Sequence, residues 1–144
     1  MTCARAVSLG AISSLAVTCW AKTVEPMTMR AGNYEVEVRV ELPYLGDINA
    51  KTVTHVCLSA EQGNNYGMAV LSANNPLAKC PTLNIRQEKD ELTFEIICEG
   101  KNEAKATARY LLASEHFSGR ITMKMGGKNM TITEIQAGHR IGAC

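Results

Sequence analysis

The chain has 144 residues, with 15 Lys and Arg against 14 Asp and Glu, 46% hydrophobic residues and six cysteines. At that length a single domain is expected. The near-neutral balance leaves no basic surplus to neutralise a phosphate backbone, which argues against nucleic acid as a partner.

The first segment stands apart from the rest. Met1-Thr-Cys-Ala-Arg5 carries one positive charge, the run AVSLGAISSLAV at 6–17 is apolar, and Thr18-Cys-Trp-Ala21 supplies small residues ahead of a cleavage point after Ala21. That order is the three-part pattern of an export signal, and the apolar run falls short of the ~20 residues of a spanning helix. The expected organisation is a cleaved signal over 1–21 and one mature domain over 22–144, periplasmic or secreted. A hydrophobic core helix fits the order of charge, apolar run and small residues less well. Lipid anchoring at Cys19 is the other alternative, but Ala16 and Thr18 occupy the places where such signals carry Leu and a smaller residue. Cleavage removes Arg5, Cys3, Cys19 and Trp20, so 14 basic residues face 14 acidic ones and four cysteines remain.

Within the mature part, strict alternation dominates. NYEVEVRVEL at 33–42 sets Tyr34, Val36, Val38, Val40 and Leu42 on one face and Glu35, Glu37, Arg39 and Glu41 on the other, the mark of a half-buried antiparallel strand. Pro43 and Gly46-Asp47 end it, and the β-branched run at 51–58 is a second strand. Ser59-Ala-Glu-Gln62 has capping-box spacing for one helical turn, after which Gly and Asn residues keep 59–79 irregular. Strands are expected again at 82–87, 91–99, 103–113, 116–125 and 129–136, separated by turns at Glu88-Lys-Asp90, Gly100-Lys-Asn102, Ser114-Glu115 and Gly126-Gly127. The predicted fold is mainly β: an antiparallel meander of about seven strands forming a small barrel or strongly curled sheet, with at most one or two short helices.

Two registers follow from matching apolar faces. A turn at Ser114-Glu115 sets Leu112 opposite Phe117, Tyr110 opposite Gly119, Ala108 opposite Ile121 and Ala106 opposite Met123, so large residues meet small ones. A two-residue turn at Gly126-Gly127 sets Ile121 opposite Ile132 and Met123 opposite Met130.

The candidate functional residues are few. Cys57, Cys80, Cys98 and Cys144 form an even set without a CxxC or a zinc spacing, which reads as two disulfides. Cys80 and Cys98 flank the Glu88-Lys-Asp90 turn symmetrically, favouring Cys80 with Cys98 and Cys57 with Cys144. Apolar matching (Leu83 with Ile96, Ile85 with Phe94) is one residue out of step with that bridge, so a bulge near Pro81 is needed. Cys57 with Cys80 and Cys98 with Cys144 is the pairing that avoids it. His55, His116 and His139 are read as separate solvated side chains, with His139 in a Gly-rich tail. Met123, Met125 and Met130 are read as core filling rather than a Cu(I) cluster. No GxSxG or free Cys/His pair is present for nucleophilic catalysis. Asn129-Met-Thr131 is a glycosylation sequon that matters only in a eukaryotic source. No metal, cofactor-binding or catalytic residue is assigned.

Gly32-Asn-Tyr-Glu-Val36, Thr52-Val-Thr-His-Val-Cys-Leu58, Cys98-Glu-Gly100, Phe117-Ser-Gly-Arg-Ile-Thr-Met-Lys-Met125 and Gly138-His-Arg-Ile-Gly-Ala-Cys144 together resemble the bacterial family of domain of unknown function 3617, over nearly the whole mature chain. Tyr34 stands where that family often has Trp, and Lys89 where it often has Gly. The resemblance implies a cell-envelope protein and supplies no activity. The functional expectation is a non-enzymatic binding or interaction domain, monomeric or weakly oligomeric, with an apolar small molecule or an envelope protein as partner. The alternatives are a hydrolase-type site in the 59–79 excursion and a carrier that holds its ligand inside the barrel.

Overall fold

The computed structural model of the protein describes residues 25–44, 51–61, 64–100, 104–125 and 130–144. The expected signal segment, Gly46-Asp47, Gln62, Lys101-Asn102, Gly126-Gly127 and Asn129 lie outside those residues.

Seven strands are present: β1 (Gly32–Glu41), β2 (Thr52–Leu58), β3 (Thr82–Glu88), β4 (Glu91–Ile97), β5 (Lys105–Leu112), β6 (His116–Met125) and β7 (Met130–Gly142). They form one antiparallel sheet in the order β2-β1-β7-β6-β5-β4-β3. The last five strands are a meander, and β1 joins it by pairing with β7 while β2 folds back on the outside of β1. The sheet is curled but open, with β2 and β3 as its edges, so the closed-barrel form of the prediction is corrected.

The chain that links these edges, the 59–79 excursion, packs its described apolar residues into the core. Ser59 N donates to Tyr66 O at 3.1 Å just past β2, and Asn65 Nδ2 reaches Thr82 Oγ1 at 3.4 Å at the start of β3. Between them Tyr66, Met68, Val70 and Leu77 are 0–3% exposed and belong to the core. The excursion contributes the only helical turn among the described residues, a 3-10 turn at Pro76–Lys79. Asn75 caps it by accepting from Leu77 N at 3.0 Å, and Pro76 sits at its start, where no N–H is needed. Ser59–Glu61, where the capping-box spacing points to a helix, are not helical.

The inner face is built by alternation. β5 buries Ala106, Ala108, Tyr110 and Leu112 and exposes each residue between them. The large-against-small register across β5 and β6 is as expected: Ala108 opposite Ile121, Ala106 opposite Met123 and Tyr110 opposite Gly119. The Tyr110 ring occupies the volume a Cβ on Gly119 would take, and the Phe117 ring does the same at Gly138 on β7. Phe94, Tyr110, Phe117 and Tyr34 then form a chain of ring contacts with centroids 5.7–5.9 Å apart. Each such pair contributes about 0.5–1.5 kcal/mol beyond burial.

Two expected registers change. Across β6 and β7, Met123 is opposite Ile132, Ile121 opposite Glu134 and Met125 opposite Met130. The strands end at Met125 and begin again at Met130, so the connection is four residues rather than two and the register slides by two. A two-residue slide keeps every side chain on its face, but Met130 moves to the rim and is 40% exposed. Across β3 and β4 the required bulge exists, between Leu83 and Arg86 rather than near Pro81. Asn84 takes a left-handed φ of 53° there, which Asn tolerates better than most residues. Leu83 consequently pairs with Glu95 and is 45% exposed, not opposite Ile96.

The disulfides are Cys57–Cys144 and Cys80–Cys98. The second packs against the core beside the 3-10 turn, and the first ties the end of β2 to the residues just after β7.

Candidate functional site

The core carries one polar cluster. Glu134 and Gln136, on the inner face of β7, are 0% and 1% exposed. Glu134 accepts from Leu71 N at 2.8 Å and Ser72 N at 3.0 Å, and Gln136 Nε2 donates to Glu134 Oε1 at 2.6 Å and to Ala69 O at 2.8 Å. Tyr110 completes the chain by donating to Gln136 Oε1 at 2.9 Å. Burial, with the charge of Glu134 as a smaller cause, pushes the Tyr110 phenol well above its ordinary range. The cluster holds the excursion against the sheet: a carboxylate serves two backbone amides that would otherwise be buried without partners. The alternative reading is a carrier with its ligand inside the barrel; Tyr66, Met68, Val70 and Leu77 of the excursion are packed into the core on that side of the sheet. The excursion's polar side chains are engaged too, Tyr66 with Gln87 at 2.9 Å and Asn65 with Met68 O at 2.6 Å.

The outer face is organised in rows, because residues directly opposite on successive strands line up across the sheet. One row runs Arg39 (β1), Ile135 (β7), Arg120 (β6), Arg109 (β5). Two arginines directly opposite each other repel. Each is drawn to a carboxylate on its far side, Arg109 to Glu91 at 2.7 Å and Arg120 to Glu41 at 3.5 Å. Around them lies a shallow groove of ≈ 400 Å³ lined by Arg109, Leu111, Ser118, Arg120, Ile135 and Ala137. Gly119 contributes only backbone to it, which leaves the groove open on the outside while Tyr110 seals it from within.

A second row runs His55 (β2), Glu35 (β1), His139 (β7), His116 (β6). The reading of three unrelated histidines is thus corrected, since every histidine of the chain lies in this one row. His55 Nε2 is 3.4 Å from one oxygen of Glu35, and His139 Nε2 is 3.7 Å from the other. The error came from β7, expected to end at Gln136 but continuing to Gly142 in pairing with β1. His139 is therefore a strand residue and not part of a tail. Of the methionines read as core filling, Met123 is fully buried and its sulfur accepts from Asn75 Nδ2 at 3.1 Å, while Met130 sits at the rim, 40% exposed.

Fold and disulfides define a small, open, antiparallel β domain with a buried apolar core and an outer face of patterned charge. The chain belongs to the family described as "Protein of unknown function (DUF3617)", which matches residues 29–144. No curated protein and no solved structure matches it.

Proposed function

We propose that the protein is an exported, non-enzymatic binding domain of the cell envelope, and that its binding surface is the Arg109–Arg120 groove. The observation that carries this reading is the pair of directly opposed arginines beside an apolar floor of Leu111, Ile135 and Ala137. Each guanidinium has donors beyond those its carboxylate partner takes, which an acidic head between the two can accept, and the floor suits an apolar body. The fitting ligand class is an amphiphile with a carboxylate or similar acidic head. Export is supported by the N-terminal pattern and by two disulfides, which persist in oxidising compartments.

Dodecanoate is a suitable probe. Titrated into the protein, it is expected to shift amide resonances of β5, β6 and β7 saturably. Ile135→Asp and Arg120→Ala should each weaken that binding by about tenfold, roughly 1.4 kcal/mol. Resonances that stay in place up to the solubility of dodecanoate dispose of the groove. Export is tested separately by the N-terminal residue of protein recovered from the cell envelope, expected to be Lys22; an intact Met1 refutes it.

A further inference from the structure

We infer that His55, Glu35 and His139 form a binding site for a divalent transition-metal ion of the Zn²⁺ class on the outer face of β2, β1 and β7. The inference is independent of the proposed groove, which uses none of these residues.

Three observations support it. First, the register places these side chains side by side on three adjacent strands, with His116 next in line. Second, the two imidazoles approach different oxygens of a single carboxylate, at 3.4 and 3.7 Å. The carboxylate thus stands between the two rings with one oxygen facing each, and two imidazoles with one carboxylate are a donor set that Zn²⁺ takes. Third, the side chains of His55 and His139 are 57% and 61% exposed and that of Glu35 is 41% exposed, so an ion reaches them without any opening of the fold. Among the described residues Glu35 has no ion pair with Lys or Arg that an incoming cation would have to displace.

As they stand, no three such side chains among the described residues converge on one point. Coordination therefore requires the exposed imidazoles to turn from the carboxylate oxygens they face, and exposed side chains change rotamer in picoseconds to nanoseconds. Two neutral imidazoles and a carboxylate are borderline-soft donors, which select Zn²⁺, Cu²⁺ or Ni²⁺ over Ca²⁺ or Mg²⁺. Three protein ligands leave a fourth position for water or for His116. Metal binding requires deprotonated donors and so weakens in acid.

The test is calorimetric titration of the oxidised, chelator-treated protein with Zn²⁺, with Ca²⁺ as control. One equivalent is expected to bind at pH 7.5 and to be lost at pH 5.5, with no response to Ca²⁺. Replacing a partner behind a metal ligand costs about 10–100-fold in affinity, so His55→Ala, His139→Ala and Glu35→Gln should each cost at least that. These positions are exposed, and circular dichroism should show each variant folded. Absence of saturable binding at millimolar Zn²⁺ overturns the inference. So does binding that survives in His55→Ala and Glu35→Gln, which would place the ion elsewhere.

Discussion

On the inner face of the sheet each buried polar atom has a partner in one arrangement, whereas on the outer face of the same strands charged groups share partners and stay wet. Among the described residues no buried side-chain nitrogen or oxygen lacks a hydrogen bond. Glu134, at 0% exposure, is matched to two backbone amides and one side-chain amide. Outside, Glu35 lies between two histidines and Glu41 between two arginines. Exposed pairs of that kind contribute about 0–1 kcal/mol each. The inner face therefore holds the fold, and the outer face contributes little to it.

The largest effect should come from a crosslink that belongs to neither face's packing. Replacing Cys57 and Cys144 by Ser opens a loop spanning 87 residues, and the chain-entropy relation sets the loss at about 4.6 kcal/mol. A denaturant midpoint that hardly moves would show that interior packing alone fixes the β2 edge. Next comes Glu134→Ala, which strands the amides of Leu71 and Ser72 and should cost about 3 kcal/mol. Hydrogen exchange at those two amides should accelerate more than at the β5 amides. Uniform acceleration would mean the excursion has no separate anchoring.

Tyr110→Phe removes one buried hydrogen bond and leaves Gln136 Oε1 short of a donor, at about 1–2 kcal/mol. Its pH dependence sharpens the contrast. The folded-state pKa of Tyr110 lies above the value of 10.0 for an unburied tyrosine, so below pH 10 its contribution is intact. Above that, the unfolded chain releases the proton and the folded chain keeps it. Stability then falls by about 1.4 kcal/mol per pH unit until the folded pKa is passed. Tyr34 adds to the slope, raised by burial but partly offset by Arg140. Urea melts at pH 9 and 11.5 should show a smaller loss for Tyr110→Phe than for the wild type, and equal losses would assign the alkaline slope elsewhere.

The smallest effect is a gain. Lys89 turns the β3–β4 hairpin with φ 57°, a conformation costly for a residue with a Cβ. Lys89→Gly should raise stability by about 0.5–1 kcal/mol in a thermal melt, and a fall instead would show that the Lys89 side chain contributes where it stands.

Which parts of this were legible beforehand follows the same division. Alternation in β1 and β5 and the large-against-small matching of β5 with β6 are local signals, and they located the inner face and one register. The β6–β7 slide depended on a connection whose length the glycines at 126 and 127 concealed. Glu134 lies on the inner face in either register, but the amides that make its burial tolerable, Leu71 and Ser72, are in the irregular excursion more than sixty residues away and gave no local sign. Gly138 interrupts the alternation of β7 because the Phe117 ring needs its space. That interruption made the second half of β7 look like a tail and hid the histidine row. The partner that makes it a strand, β1, lies about a hundred residues away in the chain and gives no local sign of itself.

That distance governs the order in which the molecule can assemble. Hairpins β3–β4, β4–β5, β5–β6 and β6–β7 close short loops, whereas Val36 finds Gly138 only by closing a loop of about a hundred residues. The meander can nucleate alone, and the β1–β7 seam joins last, carrying β2 with it. Until then β7 is a bare edge with Ala137 and His139 lacking their β1 partners, so the stage at which the chain is most prone to pair with a second copy is the one just before the histidine row comes into being.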